Sequence, residues 1–254
     1  MAPMTRIPAQ VSALLRDLAK NFRAILDRNL VGIYLYGSLT QKAFEPERSD
    51  VDCIVVTRRA LSATQFRKIG KWLTVAAKSN PWTARLQATF LLRNELFTMN
   101  SKACLYQFGK FKRSTSDGNP IVWMNVLESG IVICGPGPAS FVPPITPEIV
   151  FQALERELAY LREEICQNPH SEWSDAPFYR AYAVLTVCRI LYTFRKGTVV
   201  SKPRAARWVI KHLPGRWNKT ILRALESEAY TRSGSIPLSQ IAPLIDFADA
   251  HLHP

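Results

Sequence analysis

This chain of 254 residues has no apolar run approaching the roughly 20 consecutive residues that a membrane-spanning helix requires. Its opening, MAPMTRIPAQ, lacks the long apolar core of a secretory signal, so a cytoplasmic protein without a membrane partner is expected. Cysteine is scarce: Cys53, Cys104, Cys134, Cys166 and Cys188 are scattered, with neither a zinc spacing nor a disulfide framework. Buried free thiols are the expectation. There is no internal repeat and no low-complexity tract. Acidic residues are under-represented, 20 against 33 Lys and Arg, which leaves a net charge of +13. With 47% hydrophobic and 21% charged residues, the composition is that of a globular protein and excludes disorder. The length suffices for one large domain or two small ones.

The missing acid is unevenly distributed. Met1–Ser140 holds 19 Lys and Arg against 9 Asp and Glu, and the remainder holds 14 against 11. Such a surface steers triphosphates and nucleic acid inward and opposes a polycationic substrate. A merely solvated basic surface is the competing reading.

What the chain does have is concentrated in Val31–Thr57, VGIYLYGSLTQKAFEPERSDVDCIVVT. A short apolar strand ends at Gly37-Ser38, and a second strand opens with Asp50 and Asp52. Side chains alternate along a strand, so these two carboxylates point the same way. They repel each other unless a cation sits between them, and hard oxygen ligands suit Mg²⁺, which completes its shell with water and phosphates. Gly37 lets the backbone approach a phosphate, and Ser38 offers an N–H and a hydroxyl.

Around this stretch the patterning assigns the remaining elements. Val11, Leu14, Leu15, Leu18, Phe22, Ile25 and Leu26 form the stripe of an amphipathic helix over residues 8–29, packed beneath the two strands. Ser62 is the expected N-cap of a helix that stops before Pro81. RLQATFLL, Arg85 to Leu92, is a third strand with Gln87 near its start. Asn100–Asn119 mixes aromatics with Lys and Arg and is read as an irregular flap on the core, with base stacking as the alternative. Ile131–Cys134 is a further strand. The Pro/Gly-rich run over 135–146 is the linker. Beyond it, helices are expected over Glu148–Ile165, Ala176–Phe194 with Gly197 as C-cap, from Ser201 as N-cap, Asn218–Tyr230 and Leu238–His251, a bundle.

Taken together, strand, Gly-Ser, short helix, Ser-Asp-Val-Asp and strand resemble the signature of the DNA polymerase beta-like nucleotidyltransferase superfamily. The run Val184–Pro214, VLTVCRILYTFRKGTVVSKPRAARWVIKHLP, is similar to the second domain of the streptomycin/spectinomycin adenylyltransferases, with their R, G-x-x-x-x-K, A-x-x-W and L-P pattern. The resemblance covers most of Val31–Tyr230. It implies an α/β nucleotidyltransferase domain with a small mixed sheet over residues 1–140, followed by an all-helical domain over 147–254.

The resemblance also implies roles. Gly37, Ser38, Ser49 and Asp50 would bind nucleotide, with Arg189, Lys202 and Tyr230 contributed by the helical domain. Asp50 and Asp52 would bind two Mg²⁺ ions, and ATP would be the co-substrate. AMP would pass to a hydroxyl of an aminoglycoside, an antibiotic-resistance reaction that releases pyrophosphate, in a protein expected to be a monomer. Three positions depart from the family. Its third carboxylate, metal ligand and base, is Gln87 here, which keeps the shape but accepts no proton. Its drug-stacking tryptophan is Phe111. Of its two drug-binding acids, Asp175 matches one and Tyr179 replaces the other.

The first departure implies a slow or inactive form. Either the natural chain carries Gln87, or a glutamate was replaced by its neutral isostere to trap a complex. Two alternatives to drug adenylylation follow: a non-catalytic ATP-binding homologue, and a nucleotidyltransferase acting on tRNA or protein.

Overall fold

In the computed structural model, the apolar stripe from Val11 to Leu26 lies along α1 (Ala9–Leu26), with Val11, Leu14, Leu15, Leu18, Phe22 and Leu26 buried. The structure describes residues 7–47, 49–168, 177–227 and 236–253. The chain divides into two compact units, Met1–Pro144 and Ile145–Pro254.

The first unit is built on one sheet. Its strands are β1 (Leu30–Tyr36), β2 (Val51–Thr57), β3 (Leu86–Leu92), β4 (Lys102–Gln107), β5 (Lys110–Thr115) and β6 (Ile131–Cys134), in the order β5-β4-β3-β2-β1-β6. Only the β2–β3 pair is parallel. Its crossover is α2 (Ala63–Ser79), which begins with the expected Ser62 cap, closed as a capping box by Gln65. The helix ends before Pro81, which opens a short 3₁₀ turn, Pro81–Arg85.

The two sheet faces do different work. Leu35, Cys53, Ala88, Tyr106 and Phe111 are cross-strand neighbours in one row, on the face packed against α1 and α2. The next row along, Tyr36, Asp52 and Gln87, falls on the opposite face because the side-chain period is 2. Beside it stands α3 (Pro120–Ser129), whose Trp123 packs edge-on against Tyr34 and Phe141.

Two features differ from expectation. Asn100–Asn119 is not an irregular flap: it contains the hairpin β4–β5, turned by Phe108 and Gly109 at φ of 50° and 71°. Two successive residues at positive φ make the tight turn that matches strand twist, and Phe is an unusual first residue there, which hides the hairpin in the sequence. Also, α3 is a helix the apolar pattern does not announce. Its start is written in Asn119-Pro120: the Asn119 side chain accepts from the Ile121 N–H at 2.9 Å, and Pro120 takes the first helical position.

The second unit is helical: α4 (Pro147–Arg162), continued by a wider turn over Glu163–Gln167, α5 (Pro177–Lys196), α6 (Lys202–His212), α7 (Asn218–Glu226) and α8 (Leu238–Leu252). Helix α5 is buried nearly all round, at Ala183, Val184, Val187, Cys188, Ile190 and Leu191, and α4, α6, α7 and α8 pack on it. It ends at Gly197, φ 66°, whose N–H donates to the Thr193 carbonyl at 2.8 Å. Ser201 precedes α6 without a side-chain cap. Pro203 sits in the first turn and removes one of the N–H groups its hydroxyl could have capped. All five cysteines are free; four are buried and Cys166 is exposed. No helix among the described residues is long and apolar enough to cross a membrane.

Candidate active site

Asp52 sits inside β2 with Tyr36 on one side and Gln87 on the other in the ladder. Asp50 lies just before the strand, and the Gln87 side-chain amide donates to its Oδ2 at 2.8 Å. All three side chains are half-buried, so a ligand can reach them. The parallel β2–β3 pairing is what unites them: it puts residue 87 of one strand level with residue 52 of the other.

Gly37 closes the site from β1. Its φ is 80°, and a Cβ there would stand 2.3 Å from Asp52 Oδ2. Glycine is therefore required twice, by the backbone and by the carboxylate lying over it. The Gly37 N–H is already committed, donating to Asn125 Oδ1 at 2.9 Å. Ser38 follows in a 3₁₀ turn, Gly37–Leu39, with its carbonyl accepting the Ala43 N–H.

Ser49 braces its own loop. Its hydroxyl accepts the Glu45 N–H at 2.9 Å, while its N–H donates to the Glu45 carbonyl at 2.7 Å. Arg85 fixes the same loop from the turn before β3. Its guanidinium donates to the Pro46 and Ser49 carbonyls and lies over Trp82, 4.7 Å from the ring centre. Asp50 is thus placed by an arginine fork that the sequence reading took for the first residue of a strand. Asn125 was missed for the same kind of reason: its helix was not anticipated. The Asn-Pro start of α3 was the available signal.

Phe111 is not brought to this site. It lies in the row with Cys53 and Ala88 on the helix-packed face, stacked on Phe66 at 4.5 Å between ring centres and tilted against Phe90 at 5.3 Å. Its half-buried ring packs against the hydrophobic core on the face opposite Asp52 and Gln87. On the buried side of β2, burial and the Asp52 carboxylate push the Cys53 thiol well above its usual range.

The site fits a divalent cation. Asp50 just ahead of β2 and Asp52 within it offer two half-buried carboxylates, Gly37 has no side chain to crowd the Asp52 carboxylate, and phosphate and water can supply the remaining oxygens. Among the described residues there is no group of three His, Cys, Asp or Glu that could hold a metal by itself. Gln87, which donates to Asp50 Oδ2, is an amide and adds no third negative charge.

In the helical unit, Lys202 places its Nζ 3.6 Å from the centre of the Tyr182 ring. Arg189, two turns along α5 from Tyr182, and Glu157 of α4 are within electrostatic reach of the same phenol. Burial chiefly, then Glu157, pushes that phenol up to about 12, while Arg189 pulls it down. Arg189 and Lys202 therefore belong to one half-buried polar cluster. Tyr179 lies in the first turn of α5. Asp175 and Tyr230 lie outside the described residues.

Comparison with known proteins now bears on this geometry. Residues 140–248 match the family model described as aminoglycoside adenylyltransferase, C-terminal domain. An aminoglycoside (3'') (9) adenylyltransferase of Shigella flexneri is 24% identical over 234 residues, 86% of each chain. These matches liken the chain to the aminoglycoside adenylyltransferases. Among its further relatives, a spectinomycin 9-adenylyltransferase of Campylobacter jejuni is 23% identical over 217 residues, 80% of each chain. The fold agrees with a crystal structure of spectinomycin adenyltransferase AAD(9) from Enterococcus faecialis with ATP and spectinomycin. The TM-score is 0.70 at 18% identity, covering 96% of this chain and 98% of that one. The expected architecture, a nucleotidyltransferase sheet with helices followed by a helical bundle, is the one observed, and it is the fold of that structure.

Proposed function

We propose that this protein is an ATP-dependent adenylyltransferase that transfers AMP to a hydroxyl of an aminoglycoside or a related hydroxylated small molecule. The observation that carries this is the meeting of Asp50, Asp52, Gly37 and Gln87 around one sheet face, in a chain similar to the aminoglycoside adenylyltransferases. Residues of the first unit do the nucleotide chemistry, and the helical unit supplies further nucleotide and substrate contacts.

Asp50 and Asp52 would hold magnesium, which would supply positive charge to neutralise the phosphates. Gly37 and Ser38 hold the phosphates, and the Ser38 N–H and hydroxyl are the donors, since the Gly37 N–H is taken. Ser49 acts by shaping the loop ahead of Asp50. Arg189 and Lys202 neutralise the departing pyrophosphate, and Tyr230, Asp175 and Tyr179 retain their family assignments to base and drug. Gln87 holds Asp50 in place but accepts no proton, so transfer is slow in this form.

Titration of ATP into the protein and into Asp50→Ala, with Mg²⁺ and with chelator, tests the first half of this reading. Binding should require Mg²⁺ and should weaken by at least about tenfold in the variant, as expected for loss of one of two carboxylate ligands. Equal, metal-independent affinity in both would remove the metal role of Asp50.

A further inference from the structure

One helix outside the strand motif is tied to it by side chains. Asn125 is only 5% exposed, and its Oδ1 accepts the Gly37 N–H at 2.9 Å. Thr40 Oγ1 donates to the Gly37 carbonyl at 3.1 Å and lies 3.4 Å from the Ser129 hydroxyl. Ser129 in turn donates to the Asn125 carbonyl at 3.1 Å. Both peptide groups flanking Gly37 are thus engaged, and α3 supplies the deeper contact.

We infer that Asn125 is a positioning residue for the nucleotide site, holding the Gly37 peptide in the orientation that admits the Asp52 carboxylate and sets the place of Ser38. This rests on the nucleotide reading given above. Gly37 at φ 80° is free to rotate as no other residue is, and the Asp52 oxygen lies where its Cβ would be. A peptide with that freedom is ordered only by what it bonds to. Asparagine is the side chain suited to the task. It offers an oxygen of carboxylate reach without adding a third negative charge beside Asp50 and Asp52, and a serine there would be too short.

The experiment compares Asn125→Ala, Asn125→Asp and Trp123→Phe with the parent. Two quantities are read well below each unfolding temperature: hydrogen exchange at the Gly37 amide, and affinity for Mg-ATP. Trp123→Phe loosens the same helix through its contacts with Tyr34 and Phe141, away from the Gly37 bond. In Asn125→Ala the Gly37 amide should lose its protection and Mg-ATP should bind about tenfold more weakly, the effect of one buried hydrogen bond. Asn125→Asp keeps an acceptor and should restore the protection. Trp123→Phe should lower thermal stability and leave affinity within about twofold of the parent. Unchanged exchange or affinity in Asn125→Ala overturns the inference. So does an equal affinity loss in Trp123→Phe, which would make the role one of general packing. If the parent itself shows no Mg²⁺-dependent ATP binding, the nucleotide reading fails and takes this role with it, a result plainly different from the other two.

Discussion

At the scale of single residues, Gly37 and Gln87 carry the argument. Gly37 cannot be replaced by even the smallest side chain without meeting Asp52 Oδ2 at 2.3 Å, and the chain there is left-handed. Gly37→Ala should therefore lower stability by roughly 1–3 kcal/mol, the usual cost of such a backbone in a residue with a Cβ. It should also displace the Asp52 carboxylate and abolish Mg²⁺-dependent ATP binding. Urea denaturation of both proteins, followed by ATP titration, checks the two effects separately. A variant as stable as the parent would show that the turn relaxes at no cost. Much at this scale was legible from the chain itself: the carboxylate pair and the Gly-Ser break are local patterns. Asn125 and Arg85 were not legible, because each acts through a contact far away in sequence. The amide of Asn125 reaches Gly37, and the guanidinium of Arg85 reaches the Pro46–Ser49 loop. The face that Phe111 takes was not legible either: an aromatic among lysines looks the same whether it faces solvent or core, and only the strand register decides.

At the scale of elements, periodicity served well wherever one face is buried. The stripes of α1 and the long helices could be read directly, and the caps at Ser62 and Gly197 marked ends. The β4–β5 hairpin escaped because its outer strand, KFKRST, is mostly exposed and its turn is made by Phe108 and Gly109. Phe108 is 59% exposed and pays for its left-handed backbone without burying its ring. Phe108→Asn should stabilise the first unit by on the order of 1 kcal/mol, since Asn tolerates that conformation and Phe does not. Thermal or urea unfolding reads this directly. A loss of stability would mean that the ring contributes packing beyond what its exposure indicates.

For the whole molecule, composition sets only the long-range field: the net charge of +13 attracts a triphosphate and opposes a polycation. The helical unit nonetheless keeps Arg189 and Lys202 together around Tyr182 with Glu157 near, a polar cluster inside an otherwise apolar bundle. Such a cluster is costly to bury for structural reasons alone, which is consistent with retention for a ligand. The remaining question is turnover, and it converges on Gln87. Gln87→Glu restores a third carboxylate and a proton acceptor at the level of Asp52, and the crowding of like charge is relieved by bound cation. The decisive measurement is pyrophosphate release from Mg-ATP by the parent and by Gln87→Glu, with streptomycin, spectinomycin and related hydroxylated compounds as acceptors. The account predicts slow release from the parent and a rise of at least about a hundredfold in the variant with one of these acceptors, the contribution typical of a general base. Intact ATP binding in both proteins with no gain for any acceptor would contradict it.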